Sequence, residues 1–200
     1  MPEAGTKNIM KSAIHRFYGI RIQEVSMDKI GLTEKCIAEQ SVYSGKFISV
    51  NQDTVELPNG KTSIREIVRH PGAVAIVPEH EGKILMVRQY RYALDKETLE
   101  IPAGKMDPGE DPETCALREL REETGYEGEL NYLGSFYTSP GFTDEIIHIY
   151  RAQHLSWSPL DCDEDEFLNV VAVPREQALQ MAGSSGFFDA KTAIGLLLAL

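Results

Sequence analysis

Glu119, Glu122 and Glu123 crowd together in the stretch GKMDPGEDPETCALRELREETGY, Gly104 to Tyr126. Clustered carboxylates are hard oxygen donors, which suit Mg²⁺ or Mn²⁺ and not the softer metals. Without a cation the arrangement is unfavourable on a helix. Each like-charged i,i+3 or i,i+4 pair costs about 0.2–0.5 kcal/mol. Glu122 and Glu123 also sit in the last turn, where the helix dipole disfavours anions. Local rules broken together mark functional sites more often than accidents. The competing reading is a solvated acidic face, part-neutralised by Arg118 and Arg121, with Arg118 and Glu122 as i,i+4 partners.

The element that must carry these acids is well signalled. Asp111 is a good N-cap, Pro112 suits the first helical position, and Glu113 follows in the first turn. Gly125 fits the position just past the end. Ala116, Leu117 and Leu120 form the expected buried stripe, with the three acids on a neighbouring face. Around this helix the chain reads mostly as strands. SVYSGKFISVN and TVELPNGKTSIREIV are strands, with Asn59-Gly60 a hairpin turn. GAVAIVPEHEGKILMVRQYRY reads as two buried strands, and TLEIPAG as a short strand entering the loop before the helix. LNYLGSFYTS and EIIHIYRAQ form another pair, FLNVVAV a further strand, and PREQALQMA and DAKTAIGLLLAL are closing helices. The stretch His15–Met27 is either a strand or an amphipathic segment. The fold class is α+β, with helices packed on a mixed sheet.

Composition narrows the chemistry. Two hundred residues with 42% hydrophobic content can bury a real core. A formal net charge of −11 argues against nucleic acid or an anionic membrane as partner. An anionic substrate would then need bound cations. Cys36, Cys115 and Cys162 are odd in number and lack metal-ligand spacing, so a reducing cytoplasm is expected in place of a disulfide framework. The opening MPEAGTKNIMKSAIHRF has no continuous apolar run, so no secretory signal is expected. AIGLLLAL near the end is too short to span a bilayer.

The acids also sit in a fixed frame. Gly104 is followed by five residues and Glu110, then seven residues lead to Arg118-Glu119-Leu120-Arg121-Glu122-Glu123-Thr124-Gly125-Tyr126. This resembles the Nudix box, Gly-x₅-Glu-x₇-Arg-Glu-U-x-Glu-Glu-x-Gly-U, at every fixed position. The resemblance implies a hydrolase of nucleoside diphosphates linked to another moiety, using Mg²⁺ or Mn²⁺. It implies an α/β/α sandwich around a mixed sheet, with a small N-terminal antiparallel sheet. By the same resemblance Glu119, Glu122, Glu123 and the Ala103 carbonyl are metal ligands. Gly104, Glu110, Arg118 and Gly125 are structural members of the motif, with Glu110 and Arg118 bracing the loop and helix.

Beyond the box, the chain from about Ser41 resembles the ADP-ribose pyrophosphatase branch. The matching stretches are ELPNGK, REIVRHPGAVAIVP, VRQYRY, LEIPAGKMDPGE, SPGFTDE and DAKT, with Pro140 at the branch's downstream proline. The resemblance implies Mg²⁺-dependent hydrolysis of ADP-ribose to AMP and ribose 5-phosphate. Alternatives are another nucleotide sugar, such as GDP-mannose or ADP-glucose, or a non-catalytic ADP-ribose-binding module. Arg65 and Arg91 match substrate-contacting arginines, the alternative being surface ion pairs. By the same resemblance Glu100 meets polar groups of the substrate, or is a strand-end acid, and Glu145 reaches the phosphates or metal, or is a solvated loop acid. Phe47 aligns with the aromatic that stacks on adenine, or is core. The catalytic base is expected in LDCDEDEFLNVV, with Glu166 first and Glu164 second, against a solvated acidic loop. Residues 1–37 are an extension of unknown role. Residues 38–70 are an N-terminal β subdomain exchanged between subunits of a homodimer, and 71–200 the hydrolase domain.

Overall fold

The structure, a computed structural model, describes residues 31–162, 166–184 and 189–200. Glu164 and the stretch His15–Met27 lie outside the described residues.

A small antiparallel sheet comes first. β3 (Ser49–Glu56) is its centre, with β4 (Thr62–Arg69) on one side. Along the other edge lie β1 (Lys35–Ala38) and β2 (Ser41–Ser44), end to end. β1 thus reaches into the segment read as an extension. The β3–β4 hairpin turns at Asn59-Gly60 as expected, with Gly60 in the left-handed region at φ +79°. The stretch SVYSGKFISVN is two strands and not one. It breaks at Gly45, whose N–H donates to the Ile48 carbonyl in a turn.

The larger sheet is mixed and is centred on β5 (Ala73–His80). β5 runs parallel to β10 (Ile146–Trp157), which pairs with β9 (Tyr126–Tyr137) at the edge. On its other side β5 meets β8 (Ala103–Lys105) at its start and β6 (Lys83–Arg91) at its end. β6 then diverges to pair with β7 (Lys96–Glu100) and β11 (Leu168–Pro174). TLEIPAG is therefore also two strands. Pro102 lacks a backbone donor, and the chain crosses there from the β6 ladder to the β5 ladder.

β5 is buried on both faces, so its apolar run is continuous instead of alternating. Val74 and Ile76 face α1 (Pro112–Thr124), in a cluster with its Ala116 and Leu120 and with Tyr150 of β10. Ala73, Ala75 and Val77 face the other way, into a cluster with Ile101, Ile149, Ala178 and Leu196. Ala178 belongs to α2 (Arg175–Ala182) and Leu196 to α3 (Ala190–Ala199). The result is helix, mixed sheet, helix. Gly195 lets α3 approach closely, since a Cβ there would lie 2.8 Å from Ile101. Among the described residues, no helix is long and apolar enough to cross a membrane.

Candidate active site

The acidic helix forms as its caps demand. The Asp111 side chain accepts from the N–H groups of Glu113 and Thr114, and Gly125 closes α1 at φ +79° with its N–H on the Arg121 carbonyl. The buried face differs from expectation. Cys115, Ala116 and Leu120 are buried, Leu117 only half so, and Glu119 and Glu123 join the buried set at 6% and 4% exposure. The solvated-face reading therefore fails for these two acids. The i,i+4 spacing turns both toward the sheet instead of toward water.

Burial has an electrostatic price that is visible in their protonation. Desolvation pushes the Glu119 carboxyl up to about 7, against the pull of Arg118 and helped by the charges of Glu122 and Glu166. Desolvation likewise pushes Glu123 up to about 8, against the N–H of Ala103 and helped by Glu119 and Glu166. Buried, mutually repelling carboxylates of this kind are stabilised as anions by a cation between them. The donor set thus fits a hard divalent metal.

The rest of the box explains how the acids are held. Gly104 supplies room, because a Cβ there would fall 1.9 Å from the Glu119 carboxyl carbon. Arg118 is the hub. Its Nε and Nη2 donate to the two oxygens of Glu110 at 3.0 and 2.9 Å, and its Nη1 to Glu119 and Glu122, both at 2.8 Å. Glu110 also accepts from the Asp107 N–H at 3.0 Å. Arg118 above all holds the Glu110 carboxyl down to about 2. Arg118 thus ties the β8–α1 loop to the helix. Glu123 accepts from the Ala103 N–H at 2.8 Å. Among the described residues, no three His, Cys, Asp or Glu side chains form a ready-made ligand cluster. Arg118 holds one oxygen of Glu119 and one of Glu122.

These groups form one wall of a cleft of about 750 Å³. Ala103, Gly104, Arg118, Glu119, Glu122, Glu123, Phe47, Arg91, Glu145 and Glu166 all line it. Phe47 is 52% exposed, which removes the core-packing reading. Its ring meets His70 edge-on at 6.1 Å, and Lys105 Nζ lies 4.8 Å from its centroid. Glu145 accepts from Thr138 Oγ1 at 2.6 Å and lies 3.7 Å from His70. Glu166 is exposed at the cleft, just before β11.

Two residues fall elsewhere. Glu100 is buried at the end of β7 and does not line the cleft. It accepts from Arg91 Nε at 2.8 Å and Nη2 at 2.6 Å, from Thr98 Oγ1 at 2.6 Å, and from Lys191. Burial alone would raise its carboxyl, but Arg91, Lys191 and Thr98 together hold it down to about 2. Glu100 therefore orients Arg91. Arg65 lies on β4 away from the cleft of its own chain. Its Nε donates to Glu34 at 2.8 Å and its Nη1 to Ser63 Oγ at 3.1 Å. Sequence reasoning missed Lys191, His70 and Lys105, all of which line the cleft. For Lys191 the signal was DAKT. Asp189 caps α3 by accepting from the Thr192 N–H, which aims Lys191 at Glu100.

Two family models match the chain. Residues 68–191 match the NUDIX domain, and residues 34–68 match the nucleoside diphosphate sugar hydrolase N-terminal domain. The chain is 52% identical over 169 residues to an ADP-ribose pyrophosphatase of Bacillus subtilis, covering 82% of this chain and 91% of the relative. It is also 52% identical over 167 residues to a methanol dehydrogenase activator of Bacillus methanolicus, covering 82% and 90%. A crystal structure of an ADP compounds hydrolase superimposes with a TM-score of 0.74 at 26% identity, covering 83% of this chain and 91% of that one.

Proposed function

The chain belongs to the Nudix family, and from that premise we propose that it hydrolyses ADP-ribose to AMP and ribose 5-phosphate with Mg²⁺. The observation that carries this reading is convergence. The box acids, Arg91, Phe47, Glu145 and Glu166 line a single cleft, although they come from five separate stretches of chain.

Glu119, Glu122, Glu123 and the Ala103 carbonyl would hold the metal. Mg²⁺, with Mn²⁺ as its substitute, supplies charge neutralisation and polarisation of the phosphoryl oxygens. Arg118 keeps the acids in register through Glu110. Arg91, fixed by Glu100, presents a planar donor fork suited to phosphate or ribose oxygens. Phe47 offers a ring face to adenine, and Glu145 reaches the phosphates or metal. Glu166 takes the proton of the attacking water as a new P–O bond forms and the pyrophosphate P–O bond breaks. The three cysteines are unpaired, and a reducing cytoplasm suits them. A second copy covers the exposed N-terminal sheet, making the enzyme a homodimer.

The test is AMP release from ADP-ribose, ADP-glucose and GDP-mannose in one Mg²⁺ buffer, with Glu166→Gln alongside. ADP-ribose should be preferred. Glu166→Gln should lower kcat by about 10²–10⁴-fold with little change in KM or metal affinity, the range of a lost general base. Preference for GDP-mannose would transfer the reading to that substrate. Binding of ADP-ribose without AMP release would make the protein a binding module.

A further inference from the structure

The segment after β10 stays tied to α1. It runs back along the C-terminal end of that helix, where the carbonyls of Glu122 and Gly125 lie past the closing bond and that of Arg121 is shared with the Gly125 N–H. The Ser158 N–H donates to the Gly125 carbonyl at 2.9 Å and the Leu160 N–H to the Arg121 carbonyl at 3.4 Å. The Cys162 thiol donates to the Glu122 carbonyl at 2.8 Å. One side chain closes the strap from the helix side. Arg121 Nε donates to the Ser158 carbonyl at 2.9 Å.

This strap ends four positions before Glu166. On the other side Leu168 opens β11, paired with Gln89 of β6. Glu166 therefore stands between two posts. One is the helix that carries Glu119, Glu122 and Glu123, and the other is β6, which carries Arg91.

We propose that Arg121 is a positioning residue for Glu166, clamping the root of the base-bearing segment onto the metal-binding helix. The Nudix motif leaves this position unspecified, and Arg121 is half-buried in the last turn of α1. The structure gives the arginine a specific job, one hydrogen bond to a carbonyl outside its helix. Only Nε makes that bond, so one donor at similar reach suffices. This separates Arg121 from Arg118, whose fork serves three carboxylates at once.

The inference rests on Glu166 being the base, and the experiment keeps the two apart. Arg121→Met preserves the length of the stem and removes the donor. Arg121→Lys restores a single donor. Each is measured for kcat, KM, Mg²⁺ half-saturation and Tm, in the wild-type and Glu166→Gln backgrounds. Arg121→Met should lower kcat about tenfold, since misplacement by about 1 Å can cost up to 10²-fold, with KM and Mg²⁺ half-saturation unchanged. Arg121→Lys should recover kcat to within about twofold. In the Glu166→Gln background Arg121→Met should cost less than about twofold, because the group it positions is gone. Wild-type kcat in Arg121→Met overturns the proposal. So does a tenfold loss that persists beside Glu166→Gln, which would mark a general structural role. If Glu166→Gln alone keeps more than a tenth of wild-type kcat, the base assignment fails, and the role of Arg121 falls with it.

Discussion

Glu100 shows what a buried charge costs and how neighbours repay it. Its carboxyl is 3% exposed yet stays ionised to about pH 2, because Arg91, Lys191 and Thr98 all donate to it. Its folded pKa lies below the ordinary 4.5, so its contribution to stability is complete above about 4.5 and is lost as pH falls toward about 2. Glu100→Gln should flatten the acid limb of a urea-stability profile across that window. At neutral pH it should cost about 1–3 kcal/mol, less than a fully buried broken pair because Arg91 is part exposed. KM for ADP-ribose should rise as well, since Arg91 loses its brace. An unchanged acid limb would show that the carboxylate is not the anchor. At this scale the box was legible from sequence, because its acids, glycines and Arg118 lie close together along one loop and helix. The Glu100–Lys191 pair was not, since its members are 91 positions apart and meet only when α3 packs on β5 and β10.

Helix α1 and the strand before it form one working element. β8 brings Gly104 against the Glu119 carboxyl with no space for a Cβ. Gly104→Ala should therefore displace Glu119 more than it unfolds the protein, with overpacking costing about 1–3 kcal/mol. The informative readout is metal linkage. At about 100 times Kd, Mg²⁺ should stabilise the wild type by about 2.7 kcal/mol, roughly 5–10 °C in Tm at this chain length. Gly104→Ala should lose most of that rise. A full Mg²⁺ shift in the variant would remove Glu119 from the metal site. Caps and hairpin turns were readable at this scale, since Asp111, Pro112, Gly125 and Asn59-Gly60 act through local backbone geometry. Strand breaks were harder. The interruptions at Gly45 and Pro102 depend on which ladder each half joins, and that is decided by the sheet and not by the segment. The burial of Glu119 and Glu123 was hidden for the same reason, because only the docking of α1 on β5 and β8 turns that face inward.

Across the whole molecule, the unresolved economy is at the N-terminal sheet. Every residue of β1 and β2 is exposed in the single chain, including Ile37, Val42 and Tyr43, each more than half exposed. Apolar strands left this open invite pairing or cover. Arg65, on the same sheet, faces away from its own cleft and is held by Glu34. Both features are accounted for if a second copy covers the sheet and receives Arg65 at its cleft. Light scattering should then give twice 22.3 kDa, and an active monomer would sink the idea. Mixing two damaged chains asks the sharper question. Arg65→Ala and Glu166→Gln should each be impaired alone. When the two are unfolded together and refolded, half of the dimers are mixed. If Arg65 acts across the interface, each mixed dimer carries both lesions at one cleft and neither at the other, and activity returns to about a quarter of wild type. If Arg65 acts within its own chain, every cleft in the mixture keeps one lesion and no activity returns.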